Sequence, residues 1–302
     1  MLTTTIQLWE DRDDAHVECY VLRDSQEFQT GVKRPAVIVC PGGAYLGTSD
    51  REAEPVALRF AAAGYHAFVL RYTTYYNGWV TDWQNPPPGN ERSAYPRPLL
   101  ELAKTVALVR RHAEEWRVDP DRIAVAGFSA GGHLAASLGV HWHEAFLREQ
   151  LGEDNDRFKP NALILGYPVL DYLFMRDELA REQKADHVNL FRLANQAVFG
   201  TPEPDEEQLA ARSPALHVSD RTPPVFVWHT ADDDLVYAQN ALNFASACAR
   251  WKVPYELHVF ASGVHGLSLA DETTAADPDQ INPEAAVWFQ LALNWLKKQM
   301  KS

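Results

Sequence analysis

The chain has 302 residues, 46% of them hydrophobic and 23% charged, which is typical of a globular domain and unlike a disordered or fibrous protein. With 41 acidic against 28 basic side chains, the formal net charge is -13, which repels phosphate backbones and anionic bilayers, so neither a nucleic-acid nor a membrane partner is expected. Cys19, Cys40 and Cys248 lack CxxC spacing and predict neither a disulfide framework nor a zinc cluster.

Short β-branched and aromatic runs alternate with longer stretches of helical period, which predicts a mostly parallel sheet with helices on both faces. Two runs at residues 4–9 and 17–22 predict an antiparallel lead-in ribbon. Six inner strands are predicted at residues 36–40, 66–72, 122–126, 162–165, 225–229 and 256–260. Helices are predicted at residues 52–63, 98–115, 131–143, 238–251 and 283–298. Four tryptophans are expected in the core: Trp228, Trp251, Trp288 and Trp295.

Two segments interrupt this alternation. Residues 73–97 contain Tyr75, Tyr76, Trp79 and Trp83 beside three consecutive prolines, too apolar for a solvated loop and too proline-rich for a helix. Residues 171–200 are polar and weakly helical, and they lie where a cap could be inserted between two strands. We predict a single domain over residues 1–302, with these two segments as cap or pocket-lining insertions.

The pattern G-x-S-x-G stands between a predicted strand and a predicted helix, with Ser129 flanked by Gly127 and Gly131. A serine on such a sharp turn is held with its hydroxyl projecting, and the helix that follows directs its N-terminal amides toward the same point. A glycine-rich turn with an idle serine is the alternative. The strand before and the helix after favour Ser129 as a nucleophile.

A turn of small residues follows the strand that ends at Cys40. Where a nucleophile lies on a strand-to-helix turn, the oxyanion is held by the amide after the nucleophile and by amides of the loop after an early strand. The candidate oxyanion hole is therefore formed by Gly43, Ala44 and Ala130. An ordinary Pro-Gly turn is the alternative.

Candidates for the catalytic acid and for the general base follow the last two predicted strands. Asp232, Asp233 and Asp234 follow the strand at 225–229, and His265 follows the strand at 256–260. Carboxyl ends of parallel strands meet at one edge of a sheet, so these side chains should face Ser129 there. A neutral His265 could take the serine proton while an aspartate fixes its tautomer. The residues alone leave open which aspartate acts, and a solvated loop or a helix N-cap would also account for the run.

Five motifs carry a family resemblance: CPGGAY, SDREAEPVA, GFSAGGHLAASLG, TADDDLV and SGVHGLSLA. From Ala36 to the C-terminus the chain resembles the α/β-hydrolase superfamily, in its bacterial acetyl esterase and lipase branch, close to acetyl-xylan-esterase-like and feruloyl-esterase-like proteins. The resemblance implies the α/β-hydrolase fold, and it selects Asp233 as the acid because Asp233 begins a D-x-x-V motif that ends at Val236. Pro41 and Ala44 replace the His and the last Gly of the H-G-G-G motif of many relatives, which keeps the backbone amides.

The resemblance implies a serine esterase with the catalytic residues Ser129, Asp233 and His265, which acts through an acyl-enzyme on short acyl groups such as acetyl on a carbohydrate. The expected partner is thus a small-molecule ester, with an acetylated saccharide as the favoured case, and no metal or organic cofactor is needed. Two alternatives are a prolyl-oligopeptidase-like serine peptidase and a non-catalytic binding protein on the same fold.

The N-terminal residues contain no basic region followed by an apolar run, and no segment reaches the roughly 20 apolar residues that a spanning helix needs. We therefore expect a cytoplasmic protein. The oligomeric state is left open, a homo-oligomer included.

Overall fold

One sheet of eight strands forms the centre of the fold in a computed structural model that describes residues 1–27 and 31–300. In chain order the strands are β1 (Leu2–Gln7), β2 (His16–Val21), β3 (Arg34–Cys40), β4 (His66–Arg71), β5 (Val118–Phe128), β6 (Ala162–Gly166), β7 (Val225–Thr230) and β8 (Tyr255–Phe260). Their order across the sheet is β1-β2-β4-β3-β5-β6-β7-β8. A strand is present at each of the six positions predicted for inner strands, and the lead-in ribbon is present too.

The sheet is mostly parallel. Strands β1 and β2 pair antiparallel, β2 runs antiparallel to β4, and β3 to β8 run parallel to one another. The carboxyl ends of the parallel strands consequently meet at one edge. The prediction that residues 256–260 form an inner strand was wrong, because β8 is the edge strand beyond β7. Its residues Tyr255 and Val259 are exposed, as expected of a strand with one neighbour.

The helices connect the strands in the alternating manner that the sequence predicts. They are α1 (Glu54–Ala62), α2 (Arg97–Arg111), α3 (Ala113–Trp116), α4 (Ala130–His141), α5 (Ala145–Leu151), α6 (Tyr172–Glu182), α7 (Ala185–Phe199), α8 (Glu206–Ala211), α9 (Gln239–Trp251), α10 (Pro283–Ala286) and α11 (Trp288–Gln299). Two predicted helices are each divided, 98–115 at His112 and 283–298 at Val287.

Apolar residues pack on both faces of the sheet. Alternate residues of β3 point to opposite faces, with Ile38 in the cluster that α2, α4 and α9 cover and Val37 in the cluster that α1 and α11 cover. Trp228, Trp288 and Trp295 belong to the second cluster, as expected. The expectation for Trp251 was wrong: this residue is 53% exposed, because it ends α9 where the chain turns through Lys252 into β8.

A third and smaller apolar cluster lies apart from both faces. It contains Tyr172 and Met175 of α6, Leu209 of α8 and Val236, which follows β7. Residues 171–200, predicted to be weakly helical, contain the whole of α6 and α7 and contribute to this cluster. It therefore joins the inserted helices to the loop that carries Asp233.

None of the helices in the described part of the chain combines the length and the apolarity needed to cross a bilayer. Cys19, Cys40 and Cys248 are all buried, and none of the three forms a disulfide.

Candidate active site

Ser129 lies on the sharp turn between β5 and α4. Its backbone has φ 50° and ψ -118°, a conformation that L-residues rarely adopt. A Cβ atom at Gly127 would come within 2.1 Å of the carbonyl oxygen of Gly131, and one at Gly131 within 2.0 Å of that of Cys40. Both flanking positions therefore require glycine, and the turn presents the serine hydroxyl at the carboxyl edge of the sheet.

The structure brings together the three side chains that the sequence singles out. His265 Nε2 lies 2.9 Å from Ser129 Oγ, and His265 Nδ1 lies 2.7 Å from Asp233 Oδ2. The other oxygen of Asp233 accepts hydrogen bonds of 3.0 Å from the amides of Leu235 and Val236. The carboxylate is thus fixed by backbone donors and directed at the imidazole, which fixes the proton of the histidine on Nδ1.

The other two aspartates of the run have separate contacts. Asp232 Oδ1 accepts a 2.7 Å hydrogen bond from the amide of Gly263, in the loop that carries His265. Asp234 Oδ2 lies 2.9 Å from Lys184 Nζ, in an exposed ion pair at the start of α7. Of the three aspartates, Asp233 alone is hydrogen-bonded to the imidazole.

The electrostatics favour a charged Asp233 and a histidine that readily accepts a proton. Burial opposes ionisation of Asp233, whose side chain is fully buried, but the charge and the hydrogen bond of His265 hold the pKa of Asp233 below its usual value. Burial likewise opposes protonation of His265, yet Asp233 outweighs it and raises the pKa of His265, with Glu52 and Asp234 adding to the effect. The imidazolium is therefore stabilised where it would form.

The loop after β3 bends sharply beside Ser129. Gly43, Ala44 and Tyr45 have φ values of 130°, 56° and 59°, and a Cβ at Gly43 would lie 2.3 Å from the carbonyl oxygen of Gly47. Gly43 and Ala44 line cavities that also contain Ser129, and Ala130 is the residue directly after it. The three candidate oxyanion donors therefore surround the serine.

Glu52 and Tyr167 link the two loops of the site, and the sequence interpretation missed both. Glu52 is 3% exposed; its Oε2 accepts a 2.6 Å hydrogen bond from the amide of Gly42, and its Oε1 accepts one of 2.6 Å from the hydroxyl of Tyr167. That hydroxyl accepts a 2.8 Å hydrogen bond from the amide of Ser268, and the Tyr167 ring packs against the ring of His265. Tyr167 directly follows β6, so the rule that sites gather at the carboxyl ends of strands could have identified it.

Two cavities meet at Ser129. One, of about 40 Å³, is apolar and is bounded by Tyr45, Val169, Tyr172 and Phe191 among others. The other, of about 220 Å³, contains His265 and polar groups such as Ser49 and Arg51, together with Trp79 and Trp83. Both interrupting segments therefore contribute to the site, residues 171–200 to the apolar cavity and residues 73–97 to the larger one.

Comparison with known proteins identifies the family. The BD-FAE family profile matches residues 26–248 of the chain. Endo-1,4-beta-xylanase B of Butyrivibrio fibrisolvens is 32% identical over 246 residues, which cover 80% of this chain and 34% of that protein. The probable carboxylic ester hydrolase LipM of Mycobacterium tuberculosis is 28% identical over 212 residues, covering 70% of this chain and 44% of that protein. The chain thus spans less than half the length of either relative.

Solved structures match over the whole chain. The carboxylesterase Cest-2923 of Lactobacillus plantarum WCFS1 is 32% identical with a TM-score of 0.80, covering 99% of this chain and 98% of that one. The acetyl ester-xyloside bifunctional hydrolase of Caldicellulosiruptor lactoaceticus is 31% identical with a TM-score of 0.73, covering 98% and 96%. MGS-M1, an alpha/beta hydrolase enzyme from a deep-sea metagenome library, is 33% identical with a TM-score of 0.72, covering 100% and 99%. The chain therefore has the α/β-hydrolase fold, as its motifs predict, and belongs to the BD-FAE family.

Proposed function

We propose that the protein is a serine carboxylic-ester hydrolase that acts through an acyl-enzyme on short acyl esters, acetyl esters of carbohydrates above all. The observation that carries the proposal is the continuous hydrogen-bonded line from Ser129 Oγ through His265 to Asp233. Side chains 136 residues apart in sequence are aligned as nucleophile and general base, an arrangement that folding stability alone does not require.

In the proposed reaction His265 Nε2 takes the proton of Ser129 Oγ as that oxygen attacks the ester carbonyl. The carbonyl oxygen becomes an oxyanion, for which the amides of Gly43, Ala44 and Ala130 are the proposed donors. His265 then gives its proton to the departing alcohol, and the acyl group stays on Ser129. Water, deprotonated by His265, releases the acid and restores the serine.

The two cavities supply the argument for acyl-chain length. Because His265 must reach the oxygen of the departing alcohol, the larger cavity that contains His265 receives the alcohol. The apolar cavity of about 40 Å³ is then left for the acyl group. This cavity is far smaller than the one assigned to the alcohol, about 40 Å³ against about 220 Å³, which favours a short acyl group such as acetyl over a long chain.

The relatives support the same chemistry. Cest-2923 is described as a carboxylesterase, and the Caldicellulosiruptor protein as an acetyl ester-xyloside hydrolase. Both proteins are thus ester hydrolases, and the second is a bifunctional one that is described for an acetyl ester and a xyloside. A cap role for residues 171–200 within a single domain, and the cytoplasmic location, stay predictions.

Hydrolysis of nitrophenyl esters of increasing chain length tests the proposal. We expect turnover of the acetate to exceed that of the octanoate, and no turnover of prolyl amides. The Ser129→Ala variant, checked by circular dichroism for an intact fold, should lose the activity. Turnover of prolyl amides would favour the peptidase alternative, and an inactive wild-type protein would favour the binding protein.

A further inference from the structure

Two exposed tryptophans stand at the mouth of the proposed active site. Trp79 is 62% exposed and Trp83 52%, and both line the cavity that contains Ser129 and His265. Exposed indole rings contribute little to folding, because they bury little apolar surface. Of the nine tryptophans, the only other that is more than half exposed is Trp251, at the end of α9. Trp79 and Trp83 are therefore available for a ligand at the site.

The segment that carries these tryptophans is fixed relative to the loop after β3. This loop, residues 41–47, contains the proposed oxyanion donors Gly43 and Ala44 and is called the oxyanion loop below. The amides of Tyr75 and Tyr76 donate hydrogen bonds of 2.9 Å and 3.0 Å to the carbonyl groups of Tyr45 and Leu46. Val80, between the two tryptophans, is buried. The ring of Trp83 packs edge-on against that of Tyr76, with the ring centroids 6.1 Å apart. The backbone that carries both indoles is thus held beside this loop, and the Trp83 ring also packs on Tyr76, which favours a preformed surface.

We propose that Trp79 and Trp83 form an aromatic platform that binds the sugar ring of the alcohol, so that the ester on that ring reaches Ser129. This inference rests on the proposed function, which assigns the larger cavity to the alcohol. A pyranose has apolar C–H faces and a rim of hydroxyl groups, and indole faces complement the former.

Polar groups of the same cavity complement the hydroxyl rim and favour a sugar over a purely aromatic alcohol. Ser49 and Arg51 line the cavity beside the tryptophans. Arg51 donates Nε to the carbonyl of Thr274, whereas its Nη2 is buried and has no hydrogen-bond partner within residues 1–27 and 31–300. The guanidinium of Arg51, which Thr274 holds at the cavity wall, and the hydroxyl of Ser49 can hydrogen-bond the hydroxyl rim of a saccharide, a rim that an aromatic alcohol lacks.

Three acetates with different alcohols test the platform: ethyl acetate, phenyl acetate and a monoacetylated methyl xylopyranoside. For the Trp79→Ala/Trp83→Ala variant we expect kcat/KM for the xyloside, relative to that for ethyl acetate, to fall about tenfold, mostly through KM, because two aromatic contacts and their buried area are lost. Trp251→Ala is the matched control, since it removes an equally exposed indole far from the site, and it should leave the ratio unchanged.

Two other results would overturn the proposal. A larger loss for phenyl acetate than for the xyloside would identify a platform for aromatic alcohols and overturn the sugar assignment. An equal loss for all three acetates would overturn the platform, because a general disturbance of the site does not distinguish alcohols.

Calorimetric titration of the Ser129→Ala variant with the same xyloside separates this inference from the proposed function. We expect binding that the double tryptophan substitution weakens about tenfold. Binding by a protein that hydrolyses none of the acetates would refute the esterase and leave the platform standing. Hydrolysis of ethyl acetate without binding of the xyloside would refute the platform alone.

Discussion

Position in the loop gives three identical side chains different contacts, as seen for Asp232, Asp233 and Asp234. Asp232 holds the loop of His265, Asp233 faces the imidazole, and Asp234 pairs with Lys184 at the surface. Their contacts could not be assigned from the residues alone, because adjacent positions in a loop point in directions that the backbone conformation decides. Only the D-x-x-V spacing, by resemblance, singled out the middle one.

Replacing each of two aspartates by asparagine tests this division. We expect Asp233→Asn to lower kcat by about a thousandfold or more, because an amide can hold the wrong tautomer of His265 and does not stabilise its charge. Asp234→Asn removes an exposed ion pair and should change kcat by less than about threefold. Steady-state hydrolysis of ethyl acetate measures both, and similar losses for the two variants would contradict the assignment.

The pH dependence of kcat/KM also tests the role of Asp233. His265 must be neutral to act as a base, and Asp233 raises its pKa, so wild-type kcat/KM should fall as pH falls through an apparent pKa above the ordinary histidine value of 6.5. Loss of the carboxylate charge in Asp233→Asn lowers that pKa, and the acid limb should move to lower pH. If the acid limb of the kcat/KM profile has the same pKa in Asp233→Asn as in the wild type, a group other than His265 is responsible for it.

Glu52 is a positioning residue whose two oxygens each accept one hydrogen bond, from Gly42 and from Tyr167. A glutamine offers only one oxygen, so Glu52→Gln leaves one of these donors without an acceptor, at a cost of about 1–3 kcal/mol. We expect kcat for ethyl acetate to fall about tenfold, with a smaller change in KM, because the oxyanion loop loses its support.

Glu54→Gln is the matched control for this experiment. Glu54 is exposed, and its Oε1 lies 3.3 Å from the hydroxyl of Tyr20, away from the site. This variant should keep the wild-type kcat. Equal kcat values for the wild type and Glu52→Gln would show that the buried carboxylate does not support the oxyanion loop.

At the scale of elements, the turn between β5 and α4 is the most constrained part of the site. Gly131→Ala would place Cβ 2.0 Å from the carbonyl oxygen of Cys40, which the backbone of β3 cannot avoid. We expect a loss of more than about 2 kcal/mol in the free energy of unfolding, at or above the usual range for overpacking. Urea denaturation followed by circular dichroism measures it.

Gly200→Ala provides the comparison. Gly200 has a φ of 73°, but an added Cβ would meet no atom within 4 Å, so this variant carries backbone strain without a clash. Its expected cost is about 1 kcal/mol. If Gly131→Ala were no more destabilising than Gly200→Ala, the close approach of α4 to β3 would not constrain the turn.

The parts of the site that lie within one motif could be predicted, and those that depend on distant contacts could not. A strand, G-x-S-x-G and a helix in succession predict the position of Ser129, because the turn is local. Glu52 and Tyr167 are 115 residues apart, and neither has a local pattern that points to the other. Whether a strand lies at the edge of a sheet likewise depends on distant contacts. The local pattern of β8 therefore could not show that it has only one neighbour.

At the scale of the whole molecule, the net charge of -13 predicts a negative overall potential that acts on charged substrates as they approach. An anionic ester should therefore reach Ser129 more slowly than a neutral one. We expect kcat/KM for acetylsalicylate, relative to phenyl acetate, to rise with added salt, because the Debye length shrinks from about 30 Å at 0.01 M to about 8 Å at 0.15 M. A ratio that does not change with salt would show that the net charge does not act at the site.

The fold as a whole joins three separate carboxyl ends of strands into one site. Strand β5 leads to Ser129, β7 to Asp233 and β8 to His265, and the parallel order of these strands brings the three loops to the same edge. The α/β pattern of the sequence predicts this convergence, whereas the side-chain distances follow only from the packed structure.

Labelling with a fluorophosphonate, followed by peptide mapping, tests the central claim most directly. The reagent forms a covalent bond with a serine only when a base activates its hydroxyl. We expect one adduct, on Ser129, that is absent from Ser129→Ala and formed far more slowly by His265→Ala. An adduct on another serine, or undiminished labelling of Ser129 in His265→Ala, would contradict it.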